Sequence, residues 1–352
     1  MTTLSSLPPE LLRDIIESTV PLTFHSRTYK ERRSTLCSLS LVSRHFRAIA
    51  QPLFRAIVWI KWDEQIELLL NAWDNSTGIK ELMVGWLASS EMVEKFVKKW
   101  KGFSSFAIER PSRDPFDLEV LLEHTALVNL QLSGPGFDFT VRSPLSTLRS
   151  LTFDWGVLNS SAPLLLDPEM LPSLQALALY AMTEEEDMQR LEATNISRLL
   201  PQLDAIVTNS DLYRLGVNDL FSGYASRILT DVWLDSLDSP DHTRFLASVQ
   251  QLRIQEFTTF TPETSARLLT LLAASRDPAN SSLKSIYLPL KWHPSRLQTA
   301  EIVIEMERVI KACEKAGIEL VFDLQPEAYL DNFISEEFWG RQRRRRKEEE
   351  QR

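Results

Sequence analysis

The sequence predicts an α/β protein: a small N-terminal unit of three helices, then an open curved parallel sheet built from repeated strand–helix units. Three observations carry this. A short apolar run recurs along the chain from residue 61 onward. Amphipathic helical segments separate many of those runs. The first 55 residues lack the runs and hold three short segments with one apolar side. Strands alternating with helices imply parallel strands joined by crossovers.

The run reads L-x-x-L-x-L or close to it. The clear copies are IKELMV (79–84), FSSFAI (103–108), LVNLQL (127–132), LRSLTF (148–153) and LQALAL (174–179). Weaker copies are LDAIVT (203–208), LTDVWL (229–234), VQQLRI (249–254) and LKSIYL (283–288), and IELVFDL (318–324) reads as a closing strand. The first residues of the nine runs are spaced 24, 24, 21, 26, 29, 26, 20 and 34 apart. Spacings of about 20–29 residues are those of leucine-rich repeats, and the longest one implies an insertion. This period makes a curved solenoid with its helices on the convex side. The repeats are irregular, and the asparagine of the strict consensus is mostly missing. A doubly wound α/β enzyme is the alternative, but its usual glycine-rich turn after the first strand is not present.

The helical segments carry their own signals. DEQIELLLNAW aligns Ile66, Leu69, Leu70 and Trp73, and EMVEKFVKKW aligns Met92, Val93, Phe96, Val97 and Trp100. TEEEDMQRL opens with Thr183 and Glu186 in capping-box spacing. Thr261 and Pro262 open TPETSARLLTLL as N-cap and first helical residue. A last helix aligns Ile302, Val303, Met306, Val309, Ile310 and Cys313 and stops at Gly317.

Among the first residues, LSSLPPELLRDIIE (4–17) predicts a helix over Pro9–Glu17, with Leu11, Leu12, Ile15 and Ile16 as an apolar stripe. A second helix is expected over Ser34–Leu41, after a polar and basic loop. A third is expected over Ser43–Ala50, ended by Pro52.

Composition narrows the class. Hydrophobic residues make up 43% and charged residues 25%, ordinary for a folded protein, and no apolar run has the roughly 18 residues of a membrane span. The N-terminus lacks the basic and apolar regions of a secretory signal. Cys37 and Cys313 are too few for a disulfide framework and read as buried small hydrophobes. A reducing compartment, cytoplasmic and/or nuclear, is expected. The sequons at Asn75, Asn159, Asn195 and Asn280 are then chance. Net charge is −9, yet residues 1–60 hold 8 basic and 4 acidic side chains, leaving 31 basic and 44 acidic elsewhere. A basic module on an acidic body implies two surfaces with different partners and disfavours nucleic acid.

Catalytic and metal motifs are missing. His25, His45, His124, His242 and His293 are scattered, and no P-loop or nucleophile elbow occurs. Only 10 glycines occur, and Gly134-Pro135-Gly136 reads as a turn. No cofactor, metal or enzymatic activity is expected. The tail RQRRRRKEEEQR is a solvated charged end or a nuclear-import patch.

The string LPPELLRDII … LSLVSRHFRAIAQPLFRAI resembles an F-box, particularly that of fungal F-box proteins. Leu7, Pro8, Glu10, Leu11, Leu12, Ile15, Ile16, Leu39, Leu41, Val42, Ser43, Arg44, Phe46, Pro52, Leu53 and Phe54 carry the resemblance. Phe46 stands where many members have Trp. The resemblance implies docking onto a Skp-type adaptor, and through it a cullin-RING (SCF) ubiquitin ligase. The adaptor contacts would be Leu7, Pro8, Leu11, Leu12, Ile15, Ile16, Leu39, Leu41, Val42, Ser43 and Phe46. The expected organisation is residues 1–57 as the F-box, 58–335 as a leucine-rich-repeat-like client-binding domain, and 336–352 as a charged tail. The implied function is substrate recognition for the ligase; a non-degradative scaffold is the rival. In each repeat strand, residues between the leucine positions should line the concave face, among them Met83, Glu109, Gln131, Thr152 and Tyr180. Trp233, Arg253 and Tyr287 on the later repeats are the expected client contacts, because Trp, Tyr and Arg dominate binding hot spots. A register off by one would place them in the core instead.

Overall fold

The computed structural model describes residues 7–20, 26–72, 78–140, 143–154, 156–180, 185–209, 218–233, 249–255, 259–275 and 282–323. The chain falls into two units that divide at Leu174/Gln175. The helical module groups with the first strands, and the expected repeat domain is shared between the two units.

The first unit opens with α1 (Pro9–Thr19), α2 (Ser26–Val42) and α3 (Arg44–Ala56). α1 starts at Pro9, where a missing N–H costs nothing. α2 begins eight residues before the expected Ser34. The stretch expected as a loop is helical because Lys, Arg and Glu are good helix formers and its side chains find partners. Arg33 lies over the Phe54 ring at 5.1 Å, and Tyr29 meets Trp59 edge-to-face at 5.6 Å. Ser43 caps α3, its hydroxyl accepting from Phe46 N at 3.2 Å. α3 does not end at Pro52. A proline inside a helix removes one hydrogen bond, but Leu53 beyond it is buried in the module core and holds the last turn in place.

α3 runs directly into β1 (Ile57–Ile60). The alternation then begins: α4 (Asp63–Ala72), β2 (Glu81–Val84), α5 (Ser90–Lys99), β3 (Ser105–Glu109), β5 (Asn129–Ser133) and β7 (Ser150–Phe153), with β4 (Phe116–Asp117) and β6 (Phe137–Asp138) as a separate two-stranded parallel pair. β1, β2, β3, β5 and β7 lie side by side in sequence order, all parallel. Ile57, Glu81, Ser105, Asn129 and Ser150 share one register row, which gives steps of 24, 24, 24 and 21 residues.

The two faces of these strands differ as their sequences require. Leu82, Phe106, Leu130 and Leu151 form one buried row, and Val84, Ile108, Leu132 and Phe153 the next. On the other face, Ser105, Asn129 and Ser150 are buried polar residues that satisfy one another. Asn129 Nδ2 donates to Ser105 Oγ at 2.9 Å, and Ser150 Oγ donates to Asn129 Oδ1. The loops lock neighbouring repeats together. Ser89 and Ser90 at the start of α5 donate their backbone N–H groups to Asp63 and Asp114 of the flanking repeats, at 2.7 and 2.9 Å.

β1 ends the strand order, so among the described residues one of its edges has no strand neighbour. Tyr29 of α2 supplies the missing partner: its hydroxyl accepts from Trp59 N at 3.2 Å. An uncovered edge is a template for unwanted pairing.

Among the described residues the second unit has six parallel strands: β8 (Ala176–Leu179), β9 (Ala205–Asn209), β10 (Ile228–Trp233), β11 (Gln251–Gln255), β12 (Ser285–Pro289) and β13 (Glu319–Asp323), again in sequence order. Its longer helices are α6 (Glu185–Glu192), α9 (Pro262–Ala274) and α10 (Ala300–Ala316), with α7 (Ile196–Leu199) and α8 (Asn218–Phe221) single turns between them. Thr261 and Thr299 cap α9 and α10, and Gly317 closes α10 at φ +68. Thr183, the expected cap of α6, lies outside the described residues. The register steps between paired strands are 29, 22, 22, 34 and 34. Every apolar run of the sequence falls on a strand. The run LTDVWL is out of frame by two: Asp231, not Trp233, sits beside Arg253.

Candidate protein-docking surface

The helical module sorts its apolar stripe into two sets. Leu12, Ile16, Val20, Leu36, Phe46, Ala50 and Leu53 are buried and make its core, and Leu7, Leu39, Ile49 and Phe54 pack against them. A unit of some 50 residues has no room to bury every apolar position. The remainder face solvent: Leu11 is 52% exposed, Ile15 40%, Leu41 77% and Val42 65%. Successive helical residues are turned by about 100°, so Leu11 and Ile15 share one side of α1 while Leu12 and Ile16 share the next. Pro8 and Ser43 are exposed.

Of the expected adaptor contacts, Leu12, Ile16 and Phe46 are core residues. They can shape an adaptor surface but do not present one. Leu11, Ile15, Leu41 and Val42 present exposed apolar surface, and burying each would contribute on the order of 1–2 kcal/mol.

The expected client contacts fare differently. Arg253 and Tyr287 pair laterally on β11 and β12, but each is only 2% exposed. Arg253 donates from Nη2 to the Tyr180 hydroxyl at 3.2 Å, and the Tyr287 hydroxyl donates to Gln251 Oε1 at 3.4 Å. β12 is buried along its whole length on both faces, so these polar side chains serve the interior and not a client surface. The Trp233 side chain lies outside the described residues. In the first unit the expected face is more open: Met83, Glu109 and Gln131 are half-buried, while Thr152 is buried.

One patch escapes the run-based reading. Trp62, Trp86 and Leu87 are 47%, 49% and 48% exposed. Ile60 pairs with Val84, and Gly85 N donates to Ile60 O at 2.9 Å, so Trp62 and Trp86 each follow two residues after the end of a neighbouring strand. Their separation of 24 residues, equal to the step of the runs, is the signal that marks them.

The remaining polar groups are structural. Arg110 is fully buried, donates from Nη1 to Ala88 O, and is held at about 10 by burial, with Asp114 opposing the fall. Burial pushes the Glu81 carboxyl up, and Arg32 partly offsets this. Arg32 lies on α2 and Glu81 on β2, so this attraction acts between the helical module and the sheet. His124 is buried with its ring stacked on Phe103 at 4.4 Å, and burial, helped by Lys101, lowers it to about 4. Cys313 is buried and raised to about 11 by burial, as a small hydrophobe should be. Cys37, expected buried, is exposed because it falls on the outer side of α2, one residue past buried Leu36. Among the described residues no group of three His, Cys, Asp or Glu side chains is placed to hold a metal ion, and no helix is long and apolar enough to cross a membrane. His25, His242 and the tail from 336 lie outside the described residues. No family model matches the chain, and no curated protein matches it.

Proposed function

We propose that the chain is a non-catalytic substrate-recognition subunit of an SCF-type ubiquitin ligase. The observation that carries this reading is the helical module. It has its own core, yet Leu11, Ile15, Leu41 and Val42 remain exposed. That is the surface a helical adaptor needs, at positions the F-box resemblance assigns to it. Parallel strands in sequence order, with register steps of 21–24 residues in the first unit, support a leucine-rich-repeat-like client-binding body. The client contact is assigned to the exposed Trp62, Trp86 and Leu87, because tryptophan is among the residue types that dominate hot spots. The mechanism is proximity: the module anchors to the ligase while the body holds the client.

The test is capture of a purified Skp-type adaptor by the full chain. Leu11→Asp and Val42→Asp place charges on exposed positions, so the chain stays folded, but docking would bury them unpaired. Adaptor binding should fall at least a hundredfold for each. Folded variants that bind the adaptor as the wild type does would remove the F-box reading. Adaptor binding without any client ubiquitination in a reconstituted ligase would point to a scaffold.

A further inference from the structure

The flank of α1 opposite Leu11 borders a cleft of about 410 Å³ between α1, α3 and the start of β2. Arg13 stands about 200° around the helix from Leu11, so the cleft and the exposed apolar ridge are separate surfaces. The charged residues lining the cleft are Arg13, Arg55 and Lys80, with no acid among the lining residues. Arg13 and Arg55 belong to the basic first 60 residues, and Lys80 adds a third cation from beyond them. Pro52, Leu53 and Ala56 give it apolar wall, and Gln51 adds an amide. The frame is fixed in advance: Lys80 N donates to Ala56 O at 2.8 Å, which ties the start of β2 to the end of α3. Arg13 is shared with Glu17 at 2.9 Å in an exposed pair. Such pairs are worth little and yield readily to a stronger anion.

We propose that this cleft binds a phosphate monoester. A dianion matches a cleft lined by three cations better than a single carboxylate does. The volume exceeds a bare phosphate ion and leaves room for the group that carries it. Apolar wall beside the cations suits a carrier with a carbon skeleton. The carrier is a phosphorylated side chain or a small organic phosphate, and the same chemistry recognises both. The inference does not depend on the ligase reading.

The experiment is titration calorimetry of the full chain with four probes: a phosphoserine hexapeptide, the same peptide unphosphorylated, glucose 6-phosphate and inorganic phosphate. Saturable binding of the phosphate-bearing probes is expected, and none of the unphosphorylated peptide. Lys80→Ala and Arg55→Gln, both at exposed positions, should each weaken binding about tenfold. Lys95→Ala on α5 should leave it unchanged. Tighter binding of the phosphopeptide assigns the site to protein partners; tighter binding of the sugar phosphate assigns it to a small molecule. No saturable binding of any phosphate probe, or binding that both cleft variants retain in full, overturns the proposal. Adaptor capture by the same variants should be intact, which separates this result from the test of the ligase reading.

Discussion

His124 carries a pH dependence that its surroundings dictate. Its ring is buried against Phe103, and burial holds it at about 4 where an ordinary histidine sits at 6.5. Between these values the unfolded chain binds a proton that the folded chain refuses. Stability therefore falls as pH drops from about 6.5 to about 4, and the loss is complete below that. Urea unfolding of wild type and His124→Phe at pH 7 and about pH 4.5 isolates the effect. The wild type should lose more stability on acidification than the variant; equal losses would show that His124 titrates alike in both states. A related contrast runs through α1. The sequence marks Leu11, Leu12, Ile15 and Ile16 as one stripe, and only packing divides it into core and surface. The division is illegible in sequence because it depends on where α3 crosses, and that in turn on Phe46, Ala50 and Leu53.

Helices and strands were legible to different degrees. Each apolar run became a strand because its leucine-type positions repeat with period two and need a common buried face. β1 was missed because IVWI follows α3 with no turn residue to announce it. α2 and α3 outran their expected ends because tertiary partners, Trp59 and the module core, override a weak local signal. The turn at Gly134-Pro135-Gly136 was legible, and its geometry makes a sharp prediction. Gly134 has φ +89, and a Cβ there would lie 2.2 Å from Arg110 O; at Gly136 it would lie 2.1 Å from Pro111 O. Gly134→Ala should cost at least about 2 kcal/mol in urea unfolding. Gly78→Ala, with nothing within 4 Å of the added carbon, should change stability by no more than about 0.5 kcal/mol.

At the scale of the whole chain, module and sheet are not separable in the way the sequence suggests. The expected boundary at residue 57 cuts β1 at its first residue, and Tyr29 covers that strand's outer edge. A chain lacking residues 1–57 would lose the covering hydroxyl, the Arg32 partner of Glu81 and the first residue of β1. It should associate with itself at concentrations where the full chain is monodisperse, as light scattering would show; a monodisperse truncation would mean that the edge needs no cover. Point substitutions in the full chain are for this reason the sounder probe of the adaptor surface.

The covered edge also bears on how the chain is made. In the main sheet of each unit every strand lies beside the sheet strands that come before and after it along the chain, with β4 and β6 set apart as their own pair. The helices that close the outer side of β1 leave the ribosome before β1 does. A nascent chain then has one side already sealed, and each new strand has a single place to join. Growth proceeds in one direction, in step with synthesis, and the side that would otherwise recruit a neighbouring polypeptide is shut before the first strand exists.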